Sequence, residues 1–230
     1  MLEVLIKLIN GQAGFLDVVV RAISLVILIF SIFPFHNFIQ SKVAEKLGDR
    51  TSKNQGMQTL NPFAHIDYAG ALAMIVFGIG WGRHSYINAR NFKNPKRDIA
   101  IVAATGLLAN LLYALVLMLI SNIITVVSYL VFDGSVVLST ICLILTIAAQ
   151  VAISLTVFYL LPIPPLDGAK ILASVLPDRY YYRYLSFERY FSLILILLIA
   201  TNVLDYPLAY AGSYIYQLLS RVAWLPFFWL

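Results

Sequence analysis

Long apolar runs separated by short polar ones frame the chain. The first runs from about Val18 to Gln40, and its helical pattern continues to Leu47 before Gly48-Asp49 ends it. The next, Tyr68 to Trp81, is short and interrupted by Gly70, Gly78 and Gly80, so its length suits a re-entrant or interfacial segment better than a span. Two longer runs follow, Ile99 to Phe132 and Val136 to Leu161, joined by Asp133-Gly134-Ser135. Each exceeds the roughly 20 residues that a bilayer core demands. A tyrosine-rich polar stretch, 177–190, reads as interfacial because Tyr and Arg both suit the headgroup zone. Residues 191–204 are short for a span, and 207–230 are apolar and end in aromatics. The pattern predicts an all-α polytopic membrane protein, a single transmembrane domain over 1–230. Its core of three transmembrane helices and a re-entrant segment occupies about 18–176, and additional C-terminal membrane helices occupy about 177–230.

Composition agrees: 61% of the residues are hydrophobic and 12% charged, where a soluble domain carries about 25% charged residues. Of the 16 Lys and Arg, all but Lys7, Arg21 and Arg221 fall in 42–53, 83–97 and 170–189. Such clusters between apolar spans mark cytoplasmic loops, so the net charge of +5 implies membrane topology and anionic headgroups as neighbours, not nucleic acid. Parity sharpens this. If 66–82 spans, the first two clusters lie on opposite faces; if it dips and returns, all three share one face and the 133–135 turn takes the other. The charge bias favours the dip, which also brings His36 and Asp167 to the same face. Cys142 is the lone cysteine, which excludes an intramolecular disulfide and a thiolate metal site. No cleavage pattern follows the first run, so it reads as a retained span.

The strongest local chemistry is "LLPIPPLDGAK", 160–170. Pro162, Pro164 and Pro165 cannot continue a helix, and Asp167 follows the break at membrane depth, where an ionisable residue is a functional candidate by default. Across the chain, His36-Asn37-x-x-Gln40, "LNPFAHID" (60–67), "NFKNPKRDIA" (91–100), "GLLAN" (106–110) and "LLPIPPLDG" (160–168) occur in order. Together they resemble the site-2 proteases, intramembrane zinc metalloproteases, in their compact bacterial form, over roughly residues 18–176.

The resemblance implies a site-2 protease-like core in a bacterial cell membrane. It implies two zinc ligands and a general base from a His-Glu-x-x-His helix, and a third ligand from the Asp of Leu-Asp-Gly. His36 matches the first histidine and Asp167 the aspartate. Asn37 stands at the base position, Gln40 at the second histidine, and Tyr159 where the family usually has Asn. "Gly-Pro-x-x-Asn" appears as Gly106-Leu107-x-x-Asn110, and the loop before it reads Trp81-Gly82-Arg83-His84-Ser85-Tyr86-Ile87-Asn88. Asn110 and Pro165 are expected on a groove for a transmembrane substrate.

An amide cannot take a proton from bound water, and losing a general base costs about 10²–10⁴ in rate. His36 and Asp167 are remnant ligands, too few for an ordinary zinc site, and the Gln40 carbonyl suits hard cations better than zinc. Zinc is thus expected to bind weakly or not at all, and no catalytic set is intact. The expected function is that of an inactive site-2 protease-like protein that binds or regulates transmembrane helices of other proteins. The alternative is a divergent zinc protease whose third ligand comes from His65 or His84; His65 otherwise bonds to backbone or Asp67 and braces the dip. Glu45 is a poor replacement base, about 13 Å along the helix from His36. Asp98 reads as the cap of a helix beginning at Ile99. A transport role has little support, because matched, interrupted halves are missing.

Overall fold

A computed structural model describes residues 10, 14–77, 81–83, 85–132, 134–190, 194, 198, 201 and 203–227. The expectations placed on Gly78, Gly80, His84 and Asp133, and most of those on 191–202, lie outside the described residues.

Helix α1, Phe15–Leu47, begins where Asp17 accepts a hydrogen bond from Gly14 N (2.8 Å). It ends at Gly48, whose φ of 117° places it in the left-handed region. Gly48 N donates to Glu45 O and Asp49 N to Ala44 O, the paired bonds of a Schellman motif, which only glycine enters without strain. Short helix α2, Thr51–Asn54, and a 3₁₀ turn at Pro62–Ala64 follow. Next comes α3, Tyr68–Phe77, about 15 Å long and half the hydrocarbon thickness.

The chain then returns to where α3 began. Arg83 N donates to His65 O (2.8 Å), and a Cβ on Gly70 would collide with the Trp81 carbonyl. The dip therefore closes on itself and its two ends lie together. Asp49 accepts from Asn88 N (2.8 Å) and Asn91 Nδ2 (2.7 Å), so the basic stretches 42–53 and 83–97 lie side by side, the proximity that the charge bias favours.

Helix α4, Pro95–Val131, starts four residues earlier than expected. Pro at the first helical position is pre-organised for the helix and has no N–H to satisfy, so Asn94-Pro95 sets the boundary. Asp98 is not the cap; it lies in the first turn and accepts from Asn94 N (3.1 Å). Helix α5 covers Val136–Tyr159. After the proline break come α6, Asp167–Val175, and α7, Asp178–Leu185, which continues as a 3₁₀ turn at Ser186–Tyr190. The tyrosine-rich stretch is thus helical. Helix α8, Asp205–Trp224, is the last long element. No strand occurs among the described residues.

Helices α1, α4 and α5 are long and apolar enough to cross a membrane. Helix α4 packs most extensively on α5 and also holds α1 and α6. The core joins Leu28, Ile32 and Phe33 of α1 to Ala114, Leu117 and Met118 of α4 and Ala148, Ala149, Ala152 and Ile153 of α5. The alanines let backbones approach closely, which drives helix association in lipid. Leu108, Leu112, Val116, Ile120 and Ile123 of α4 point outward, as an apolar solvent permits. Helix α8 lies along α5 and α4: Asn122 donates to Ala223 O (3.0 Å), and Gly212 sits beside Ser154.

Candidate functional site

Positions 36, 37 and 40 share one side of α1, since residues four apart stack one turn above another, and all three are buried. Helix α4 passes beside them at a glycine: a Cβ on Gly106 would collide with Gln40 Nε2 and with the His36 ring. Asp167 is delivered by the proline break. Three prolines end α5, and α6 folds back over that end because Gly168 has no side chain; a Cβ there would collide with the Leu160 carbonyl.

His36, Gln40 and Asp167 are thereby brought together. His36 Nε2 lies 3.1 Å from Asp167 Oδ2, Gln40 Nε2 donates to the same oxygen at 2.9 Å, and Lys170 Nζ reaches Oδ1 at 3.0 Å. The carboxylate is buried, and burial opposes its charge. The Lys170 ammonium and the donors on His36 and Gln40 more than offset that cost and hold Asp167 well below the usual carboxylate range.

On its other side the His36 ring meets the Asn110 amide, Nδ1 to Oδ1 at 3.1 Å. With Nδ1–H donating to the amide oxygen, Nε2 of the neutral ring keeps its lone pair. With the amide turned over, the Nδ1 lone pair accepts and the single proton sits on Nε2. In either tautomer the ring joins Asn110 on one side to Asp167 on the other.

Asn37 is held apart from this trio. Its Nδ2 donates to Arg83 O (2.9 Å) and to His65 Nδ1 (3.1 Å). His65 Nε2 donates to Thr59 O (2.8 Å), which leaves Nδ1 as the acceptor that Asn37 needs. Burial lowers the His65 pKa, aided by the Arg83 and His36 charges, so a neutral ring fits. His65 does bond to backbone, through Thr59, while Asp67 instead accepts from Gly70 N (2.8 Å). The Tyr159 hydroxyl accepts from Gly82 N (3.3 Å), and its ring packs 5.1 Å from that of His36.

The space enclosed by Phe33, His36, Asn37, Gln40, Tyr159 and Asp167 measures about 10 Å³, room for about one water molecule. Pro165 lines a separate cavity of about 330 Å³ with Arg83, Ser85, Ile99 and Lys170. Asn110, expected on a groove, is fully buried and sits behind the His36 ring instead. Glu45 is tied to Lys53 (2.6 Å) and Gln58 (2.8 Å) at the end of α1.

The donor set does not fit zinc. Zinc requires lone pairs from three strong ligands and an open position for water. Here the three positions hold one imidazole, one amide and one carboxylate, and an ammonium neutralises that carboxylate. Among the described residues no three His, Cys, Asp or Glu side chains converge. Sequence reasoning gave Lys170 no part in the site; its spacing three residues after Asp167 on a helix was the available signal.

Residues 14–201 match the family described as Peptidase family M50. The chain is also 31% identical over 187 residues to the "Putative zinc metalloprotease YwhC" of Bacillus subtilis (strain 168), an alignment that covers 80% of this chain and 83% of that protein. No solved structure matches the chain.

Proposed function

The chain belongs to peptidase family M50, the site-2 proteases, and from that premise we propose that this integral membrane protein is a member without hydrolytic chemistry of its own. The carrying observation is Asn37. At the position where the family's mechanism needs a carboxylate, an amide donates to Arg83 O and His65 Nδ1 and has no oxygen that could take a proton near neutral pH. The Lys170 ammonium supports the same reading for the metal, because it compensates Asp167 with charge built into the chain. Zinc, the family's metal, then binds weakly or not at all.

In this reading the protein engages transmembrane segments of other proteins and holds or shields them without cutting. The Pro165 cavity, at about 330 Å³, is large enough for a few side chains of such a segment. The competing reading, a divergent zinc protease, draws on the 3.1 Å approach of His65 to Asn37. It requires His65 to break its bond to Asn37 or to Thr59, and His84 lies outside the described residues.

Purified protein tests both readings. The expected result is zinc far below one per chain by elemental analysis, with no cleavage of a co-expressed transmembrane reporter. Zinc near one per chain, removed by chelator together with cleavage and lost with cleavage in Asp167→Ala, would establish the enzyme and overturn the proposal.

A further inference from the structure

Helices α4 and α6 leave an open groove of about 530 Å³ between them. Residues four apart on a helix share a face, so α4 gives the groove two parallel rows: Lys96, Ala100 and Ala104 in one, Arg97 and Ile101 in the other. Ile171 and Ser174 of α6 form the facing wall. Polarity therefore changes along the groove. It is cationic at the first turn of α4 and apolar from Ala100 to Ala104, about 6–12 Å further along the axis. The same step marks the membrane boundary. Polar sequence runs up to Asp98, and the apolar run of this spanning helix starts at Ile99. Lys96 and Arg97 thus stand at headgroup level, with Ala100, Ile101 and Ala104 at the start of the hydrocarbon layer.

Lys96 is anchored at the mouth: its Nζ donates to Leu176 O (2.6 Å) and lies 5.5 Å from the centre of the Tyr181 ring. Ser174 donates within its own helix, to Ile171 O (2.7 Å). Arg97 is exposed, and its guanidinium has no partner among the described residues. None of the lining residues is acidic. Asp98, next along α4, is buried and accepts from Asn94 N (3.1 Å).

We propose that this groove holds one anionic phospholipid from the leaflet beside the first turn of α4. The planar fork of Arg97 matches two oxygens of a phosphate. The acyl chain continues down onto Ala100 and Ala104, whose small side chains leave room for it. Charge and depth together single out this occupant. A free phosphate would leave the apolar floor unused, and a zwitterionic headgroup would bring an ammonium to a mouth lined by no carboxylate. An apolar helix of another protein would bury Arg97 unpaired, a cost that a lipid phosphate avoids. The groove is separate from the His36 cluster, and its occupancy is independent of whether that cluster is catalytic.

Native mass spectrometry of the full chain, purified in detergent and exposed to mixed phosphatidylglycerol and phosphatidylcholine, tests the proposal. One phosphatidylglycerol per chain should remain bound under conditions that strip phosphatidylcholine. Phosphatidylglycerol should also raise the melting temperature, and inorganic phosphate should not. Arg97→Gln should weaken retention about fivefold, the contribution of one basic residue beside anionic headgroups. Without lipid it should melt as the wild type does, because its side chain has no partner to lose. Ala104→Leu should weaken retention with both cations intact, by filling the floor. Lys93→Gln removes the same charge from outside the groove and should leave retention unchanged. No retained lipid, or equal retention of both lipids, would overturn the proposal, as would stabilisation by inorganic phosphate alone. So would retention unchanged in Arg97→Gln or Ala104→Leu, or reduced as much in Lys93→Gln as in Arg97→Gln. A second polypeptide retained in place of lipid would do the same.

Discussion

Asn37 is shorter by one methylene than the glutamate its position calls for, and it lacks a titratable oxygen. The structure uses that difference: the amide hydrogens join α1 to Arg83 and His65 of the dip, contacts a carboxylate could not donate. Gln40 likewise presents N–H to Asp167 where a ligand would present a lone pair. The amides tie these side chains into a buried hydrogen-bonded cluster, and glycine at 106 keeps room for it. Gly106→Ala forces a methyl group against Gln40 and the His36 ring; overpacking of this kind costs about 1–3 kcal/mol. The expected outcome is a lower melting temperature in detergent, with Gly134→Ala, whose added Cβ meets open space, as a control that carries only its own backbone strain. Sequence alone suggested which residues approach each other, His36 and Asp167, but not what neutralises them. The Asn37–His65 link crosses 28 positions, and Lys170 takes its place only because α6 folds back at Gly168.

Element boundaries were legible wherever a chemical stop signal is unique, as at Gly48-Asp49. They were misread where two signals compete: Asp98 resembles a cap, but Asn94-Pro95 starts α4 first. The polar residue at membrane depth, Asn110, bonds across helices to a buried partner, His36, as polar groups in lipid do. Between elements, Asp49 clasps the end of α1 to the 88–91 turn through Asn88 N, Asn91 Nδ2 and Thr51. Burial raises its pKa, yet these hydrogen bonds outweigh burial and hold it below the ordinary carboxylate value. A depressed folded pKa adds stability that is complete above the unfolded value, about 3.9, and is lost as pH falls through the folded one. Asp49→Asn is therefore expected to cost about 1–3 kcal/mol at neutral pH and to melt with a weaker dependence on acid below about pH 4 than the wild type. Thermal melts across pH 3 to pH 7 would measure both effects.

At the scale of the molecule, charge parity and the closed dip agree: Asp49 sets the end of α1 beside 88–91, and the ends of the 68–77 excursion meet at Arg83 and His65, so the basic stretches are expected on one membrane face. The number of spans and their order follow from apolar length, because a bilayer imposes that length on any sequence. The placement of α8 does not, because its mixed surface meets both bundle and lipid. Single cysteines at Lys53, Lys93 and Arg179 in a Cys142→Ser background should react with an impermeant thiol reagent from one side of sealed vesicles, and one at Gly134 from the other. Labelling of Lys53 and Lys93 from opposite sides would mean that the 66–82 segment spans the membrane after all.

The bond from Arg83 N to His65 O has a consequence for how such a chain can vary. With its two ends already joined, the excursion between them is a closed loop, and lengthening such a loop changes its closure entropy only slowly, by about 0.6 kcal/mol per doubling. The segment can therefore be enlarged, trimmed or exchanged for another as a cassette, while α1 and α4 keep their register and the amide network beside them stays intact.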